Sequence, residues 1–156
     1  MEIPGRVGVD EFRAEAEALL RVRRFGILST HSEAAPGYPF GSLASYAVDD
    51  QGRPVFLFSG LALHTQNAAA NSRVSLTVFD AAAEESPQTA PRVTVIGDLA
   101  PVPQDEDAAA RALYLERHPE ARNYSQFGDF AIYRFTVRDI YFVGGFGSAG
   151  WVSRAE

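Results

Sequence analysis

The spacing of the strand-forming segments constrains this chain most. Residues 25–30, 40–48, 55–59, 74–79, 92–99, 130–137 and 140–143 are rich in β-branched and aromatic residues, and several are joined by links of hairpin length. Parallel neighbours need a crossover of a dozen or more residues, so short links favour a mostly antiparallel sheet. Asp49-Asp50-Gln51-Gly52-Arg53-Pro54 is such a link, a hairpin turn between two apolar runs. A sheet of this kind avoids exposed edges by closing into a barrel. Three helical patterns interrupt the strands. About 10–23, Phe12, Ala16, Leu19 and Leu20 share one face, with Asp10 placed as a cap, acids early and arginines late. A short helix follows Gly60, and an alanine-rich one over 105–117 is stopped by His118-Pro119. Residues 80–91 have no apolar period and read as an exposed loop. The expectation is one domain over residues 1–156, mainly β with flanking helices, its N-terminal helix about 10–23 and its barrel about 25–152.

Composition removes several kinds of chemistry. The chain has no cysteine, which excludes disulfides, thiolate nucleophiles, iron–sulfur clusters and cysteine zinc sites. All 14 basic residues are arginine, so no lysine can form a Schiff base or a Walker-type phosphate contact. A net charge of −6 argues against a general nucleic-acid or anionic-membrane binder. The Arg21-Val22-Arg23-Arg24 cluster is the best local basic patch, and reads as solvating or pairing the end of a helix. No apolar run approaches the ~20 residues that span a bilayer. No export signal is visible at the N-terminus, which makes a cytoplasmic location the expectation. The three histidines, His31, His64 and His118, lie far apart without metal-ligand spacing, so no metal site is expected. No serine sits in a nucleophile elbow.

The stretch 59–79 reads as a strand end, a tight turn, a short helix and another strand, with Ser59, His64, Thr65 and Asn67 clustered where the helix begins. Helix-start N–H groups and hydroxyls suit a phosphate, and His64 can donate a proton or charge. Ordinary capping is the competing account: Thr65 or Asn67 caps the helix and His64 is exposed. In Gly41-Ser42-Leu43-Ala44-Ser45-Tyr46, small residues leave room for a planar ring against the backbone, or for a helix packed close above the strand. Arg92 can pair with a phosphate or carbonyl oxygen, or face solvent. Tyr124, Gln126, Phe127 and Asp129 form an aromatic-polar patch that reads as a buried corner. The tail Gly144–Gly150 imitates G-x-G-x-x-G but has too little chain after it for a crossover helix, so it reads as backbone folded close to a ligand or partner. Trp151, the only tryptophan, either stacks on a ring or covers the barrel end.

Taken in order, Gly41–Tyr46, the Gly52 turn, Ser59-Gly60-Leu61-Ala62-Leu63-His64-Thr65-Gln66-Asn67, Arg73-Val74-Ser75-Leu76, Ala90-Pro91-Arg92-Val93, Tyr114-Leu115-Glu116-Arg117-His118-Pro119, Phe127-Gly128-Asp129-Phe130 and Val143-Gly144-Gly145-Phe146-Gly147 resemble the FMN-binding split-barrel family of pyridoxamine 5'-phosphate oxidase-like proteins, most of all its haem-utilisation branch. The resemblance spans about residues 10–152. It implies a six-stranded antiparallel split β-barrel and a homodimer with cofactor sites at the interface. It also implies an FMN-dependent oxidoreductase acting on a small-molecule substrate or electron carrier. Ser59, His64, Thr65 and Asn67 would then meet the FMN phosphate and ribityl chain. Ser42, Leu43, Ala44 and Ser45 would run beside the isoalloxazine ring. Arg92 would reach the flavin from the opposite subunit, with Trp151 near it. The strand that in the true oxidases carries Arg and Lys has no charged residue here, which argues against pyridoxamine phosphate as substrate. Haem is the alternative ligand, with His31 and His64 as candidate iron ligands. A dimeric module without enzyme activity, its flavin site vestigial, is the third reading. No residue stands out as a general acid or base.

Overall fold

The computed structural model describes residues 9–145 and 148–152. Helix α1 (Val9–Val22) leads into β1 (Phe25–His31), β2 (Pro39–Ser45), a two-residue β3 (Ala47–Val48) and β4 (Pro54–Ser59). Helix α2 (Leu63–Ala70), β5 (Arg73–Phe79), β6 (Arg92–Pro101), α3 (Gln104–Arg117), β7 (Phe130–Gly145) and β8 (Ser148–Val152) complete it. All pairings are antiparallel, in the order β2-β1-β5-β6-β7-β4-β3, with β8 added to β7. The sheet curls until β2 and β4 approach each other without pairing. This unpaired seam is the split in the barrel.

The expected mainly β architecture with flanking helices is present, but the described residues form eight strand segments rather than six. The 40–48 segment breaks at Tyr46, whose N–H turns to the Arg24 carbonyl and whose hydroxyl donates to the Leu20 carbonyl. Residues 130–137 and 140–143 are one strand, because Arg138 is absorbed as a bulge where Ile96 faces Asp139 and Gly97 faces Val137. Part of the glycine-rich tail is strand β8, paired on β7 (Ile140 with Val152, Tyr141 with Trp151). Phe146 and Gly147 lie outside the described residues. Helix α1 begins at Val9, so Asp10 stands in its first turn rather than at its cap.

Two cores explain the layering. Phe12, Ala16, Leu19 and Leu20, the face read from the sequence, bury against Leu28, Phe56, Leu76, Val95 and Phe135 inside the barrel. A second core lies under α3, where Ala110 and Tyr114 meet Val55, Leu57 and Ile132. Strand β4 stands between them: Phe56 and Phe58 point into the barrel, Val55 and Leu57 toward α3. That is why Pro54-Val55-Phe56-Leu57-Phe58 is apolar throughout, since alternation is lost when both faces are covered. Among the described residues no helix is long and apolar enough to cross a membrane.

Candidate functional site

The seam between β2 and β4 opens into a cleft of about 330 Å³. Leu43, Ala44 and Ser45 form one wall, Leu57, Phe58 and Ser59 another, and Ala62 and His64 close it from the turn into α2. Tyr114 from α3, with Tyr124 and Phe130, supplies the aromatic side. The Tyr124 and Phe130 rings pack at 5.1 Å, tilted by 46°. The cleft lies where the two cores meet, and its walls are mostly apolar, as those of ligand sites usually are.

His64 is the one histidine in it. Of the others, His31 is exposed at the end of β1. His118 is buried, with Nε2 at 2.6 Å from the Tyr46 carbonyl and Nδ1 3.6 Å from Glu120. The His64 ring packs on Phe58 at 4.3 Å, and its Nδ1 lies 3.3 Å from Thr65 Oγ1. Burial lowers its pKa from the ordinary 6.5, because desolvation disfavours the charged imidazolium. The ring is therefore neutral at pH 7, with a lone pair to offer.

Its neighbours hold the turn in place. Ser59 Oγ donates to Asp129 Oδ2 at 2.7 Å and accepts from the Leu61 N–H, while the Gly60 N–H bonds the Asp129 carbonyl. Neither Thr65 nor Asn67 caps α2; the N-cap is Ala62, which gives no side-chain acceptor. Both are buried instead. Asn67 Oδ1 accepts from the Glu33 N–H at 3.1 Å and its Nδ2 donates to Thr30 Oγ1 at 3.1 Å, clamping the loop after β1 to α2. Asn67→Ala removes both hydrogen bonds, each worth about 0.5–1.5 kcal/mol net, and is expected to cost about 1–3 kcal/mol. Urea unfolding and hydrogen exchange at Glu33 measure this; an unmoved midpoint with an unchanged Glu33 amide counts against the clamp.

Thus Leu43, Ala44, Ser45, Ser59 and His64 converge within one chain. Ser42 is half-buried on the opposite face of β2 from Leu43, outside the cleft. Arg92 and Trp151 sit elsewhere. Arg92 Nη1 donates to the carbonyls of Pro87, Gln88 and Ala90, tying the 81–91 loop to β6 beside a separate cavity of about 500 Å³. Trp151 meets Tyr141 edge-on at 5.2 Å. Tyr141 also lines that second cavity. The cleft residues that sequence reading missed are Leu57, Phe58, Ala62, Tyr114, Tyr124 and Phe130. The unbroken apolar run of β4 was the available signal for two of them. Tyr124, expected in a buried corner, is half-buried in the cleft wall, and Phe127 beside it is exposed. A third space of about 550 Å³ beside α1 carries charged side chains such as Arg13, Glu17 and Arg53 on its lining and no histidine.

The sequence and fold have known counterparts. A family profile described as CREG, beta-barrel matches residues 9–156. The chain is 37% identical over 124 residues to the non-canonical heme oxygenase HOZ, chloroplastic, of Arabidopsis thaliana, a match covering 80% of this chain and 37% of that protein. A heme binding protein from Mycobacterium smegmatis superposes with a TM-score of 0.81 at 31% identity, covering 94% of this chain and 58% of that one. The chain therefore spans less than two thirds of either relative. HutZ, the heme storage protein of Vibrio cholerae, superposes with a TM-score of 0.71 at 22% identity, covering 90% and 96% of the two chains. At that identity the likeness concerns the fold alone.

Proposed function

The chain belongs to the CREG β-barrel family, and from that premise we propose that it is a haem-binding split-barrel protein of the haem-utilisation type, with His64 as the iron ligand. The observation that carries this reading is a single half-buried imidazole, kept neutral by burial, in a cleft whose other lining is Leu, Ala, Phe and Tyr side chains with Ser45 and Ser59. The Arabidopsis relative named as a heme oxygenase and the mycobacterial relative named as a heme binding protein support it. Haem, when bound, supplies iron for oxygen and one-electron chemistry. The chain's own part is to present the imidazole and exclude water. Thr65 serves as a positioning residue: when His64 Nδ1–H donates to Thr65 Oγ1, the Nε2 lone pair is left for the metal.

A cleft of about 330 Å³ is at the small end of ligand sites. A macrocycle fills it only by projecting from the open side, where a second copy would cover it. The sheet offers a face for that copy: the central outward positions Ile27, Ser29, Leu43, Ser75, Thr77, Thr94 and Ile96 carry no charge, and Leu43 is 71% exposed. Pairing through it would also bring the partner's Arg92 and Trp151 toward the cleft, which one chain alone does not do.

FMN is the second reading, on one observation: α2 has no side-chain cap at Ala62, so its first-turn amides suit a phosphate. The carboxylate of Asp129 beside Ser59 opposes a phosphate dianion there, and no Arg lines the cleft. The experiment is visible spectroscopy of the purified protein with each cofactor added, alongside sedimentation. The expected result is a saturable, shifted Soret band on a dimer. Tight FMN binding with no haem binding would favour the flavin, and binding of neither refutes both readings.

A further inference from the structure

The arginines where α1 ends take no part in the cleft. Arg21, Arg23 and Arg117 line a groove of about 360 Å³ between the ends of α1 and α3. Arg24 joins them: its guanidinium donates to the Arg117 carbonyl, while Arg117 Nη2 donates to the Val22 carbonyl at 2.8 Å. Each of these two arginines thus holds the other helix's C-terminal end. Arg13, Arg53, Arg111, Arg134 and Arg138 all pair with carboxylates, but the four at this groove form no ion pair among the described residues. Backbone carbonyls orient a guanidinium without neutralising it. Glu116 is the one acid on the lining. The result is a concentrated positive face on a chain whose net charge is −6.

The face adjoins the cleft on two segments. Leu113 lines the groove and Tyr114 the cleft; Ala47 lines the groove and Ser45 the cleft. The field reaches inward as well: burial raises the Tyr46 pKa, and Arg117 and Arg23 oppose that rise.

We propose that this arginine face docks an acidic one-electron carrier protein that reduces the cofactor in the cleft, an inference that rests on the redox reading of the cleft. One electron leaves the reduced carrier and one arrives at the cofactor, and no bond forms or breaks. A compact acidic protein touches only the positive face and is turned toward it by the negative charge elsewhere. A chain of net charge −6 repels a long polyanion overall, so nucleic acid is the disfavoured occupant.

The test titrates the cofactor-free protein with an acidic [2Fe–2S] ferredoxin as probe, at about 0.02 M and about 0.3 M salt. Arg24 and Arg117 are left intact because they hold helix ends; the variant is Arg21→Glu with Arg23→Glu, and Arg73→Glu, an exposed arginine at the start of β5, is the control. Binding is expected at low salt, weakened by salt, reduced about tenfold or more in the double variant and unchanged in the control. Thermal melts verify that both variants fold. No binding by the wild-type protein, equal binding by the double variant, or equally tight binding of duplex DNA at the same arginines overturns the proposal. Because this arm is read without haem or flavin, it tests the arginine face alone, and the cofactor titration tests the cleft. Reduction of the loaded protein by the probe, slowed in the double variant, then joins the two; reduction at the wild-type rate in that variant overturns electron delivery through this face.

Discussion

Gly97→Ala is expected to lower the melting temperature by about 8–16 °C or to prevent folding, the consequence of about 4 kcal/mol or more lost from a chain of this size. A Cβ at Gly97 would lie 2.0 Å from the Thr136 carbonyl oxygen and 2.8 Å from the Phe135 ring. The first of these is backbone, so no rotamer change relieves it. Gly97 stands where β6 and β7 change register around Arg138, and the strands cross so closely there that a hydrogen is the only side chain admitted. Moving β7 outward would also disturb Phe135, which is wholly buried in the barrel core. Gly128→Ala is the matched control: its Cβ meets nothing within 4 Å, so the substitution should change stability by less than about 1 kcal/mol. Differential scanning calorimetry of the two variants measures the contrast. A Gly97→Ala protein that melts within a degree or two of wild type would mean that the β6–β7 register is wrong.

The bulge also shows where sequence reading reaches its limit. Arg138-Asp139 is a polar pair between two apolar runs, and by alternation alone it looks like a break between strands. Only the partner strand, with Gly97 opposite, reveals an extra residue accommodated in one continuous strand. Strand β8 was missed for a similar reason. Ser148-Ala149-Gly150 has neither bulk nor alternation, and its extended form comes from pairing with β7 rather than from its own propensity. In contrast, Phe12, Ala16, Leu19 and Leu20 were legible because helical period and burial agree. The anchor stretch was legible as strand, turn, helix and strand, but not as chemistry. Its polar residues could not show whether they face a ligand or the protein, and Asn67 spends its amide on Glu33 and Thr30. The cleft itself joins β2, β4 and the far side of α3, and no local pattern marks Tyr114 or Tyr124 as neighbours of His64.

His64→Ala should weaken haem binding by about 100-fold or more, since losing even a residue that supports a metal ligand typically costs 10–100-fold. The same variant should leave the fold intact, because His64 is half-buried at the cleft mouth and its ring packs on Phe58 from one side. The pH dependence distinguishes a ligand from a bystander. Burial lowers the His64 pKa from 6.5, so the folded protein takes up its proton only at lower pH than an unfolded chain does. Iron binding needs the neutral ring. Haem affinity should therefore decline on acidification, as His64 becomes protonated, and at lower pH than an unburied imidazole would dictate. In His64→Ala the residual affinity should lose this acid limb. Thr65→Val, which removes the hydroxyl beside Nδ1 at nearly constant volume, should shift the limb and reduce affinity less than His64→Ala. Added imidazole should restore a Soret spectrum to His64→Ala by filling the space left by the ring. If His64→Ala binds haem as tightly as wild type with the same acid limb, the iron ligand lies elsewhere. If haem binding is unchanged while FMN is released from that variant, the histidine belongs to a flavin phosphate site instead, and the cleft must be read as a flavoprotein's.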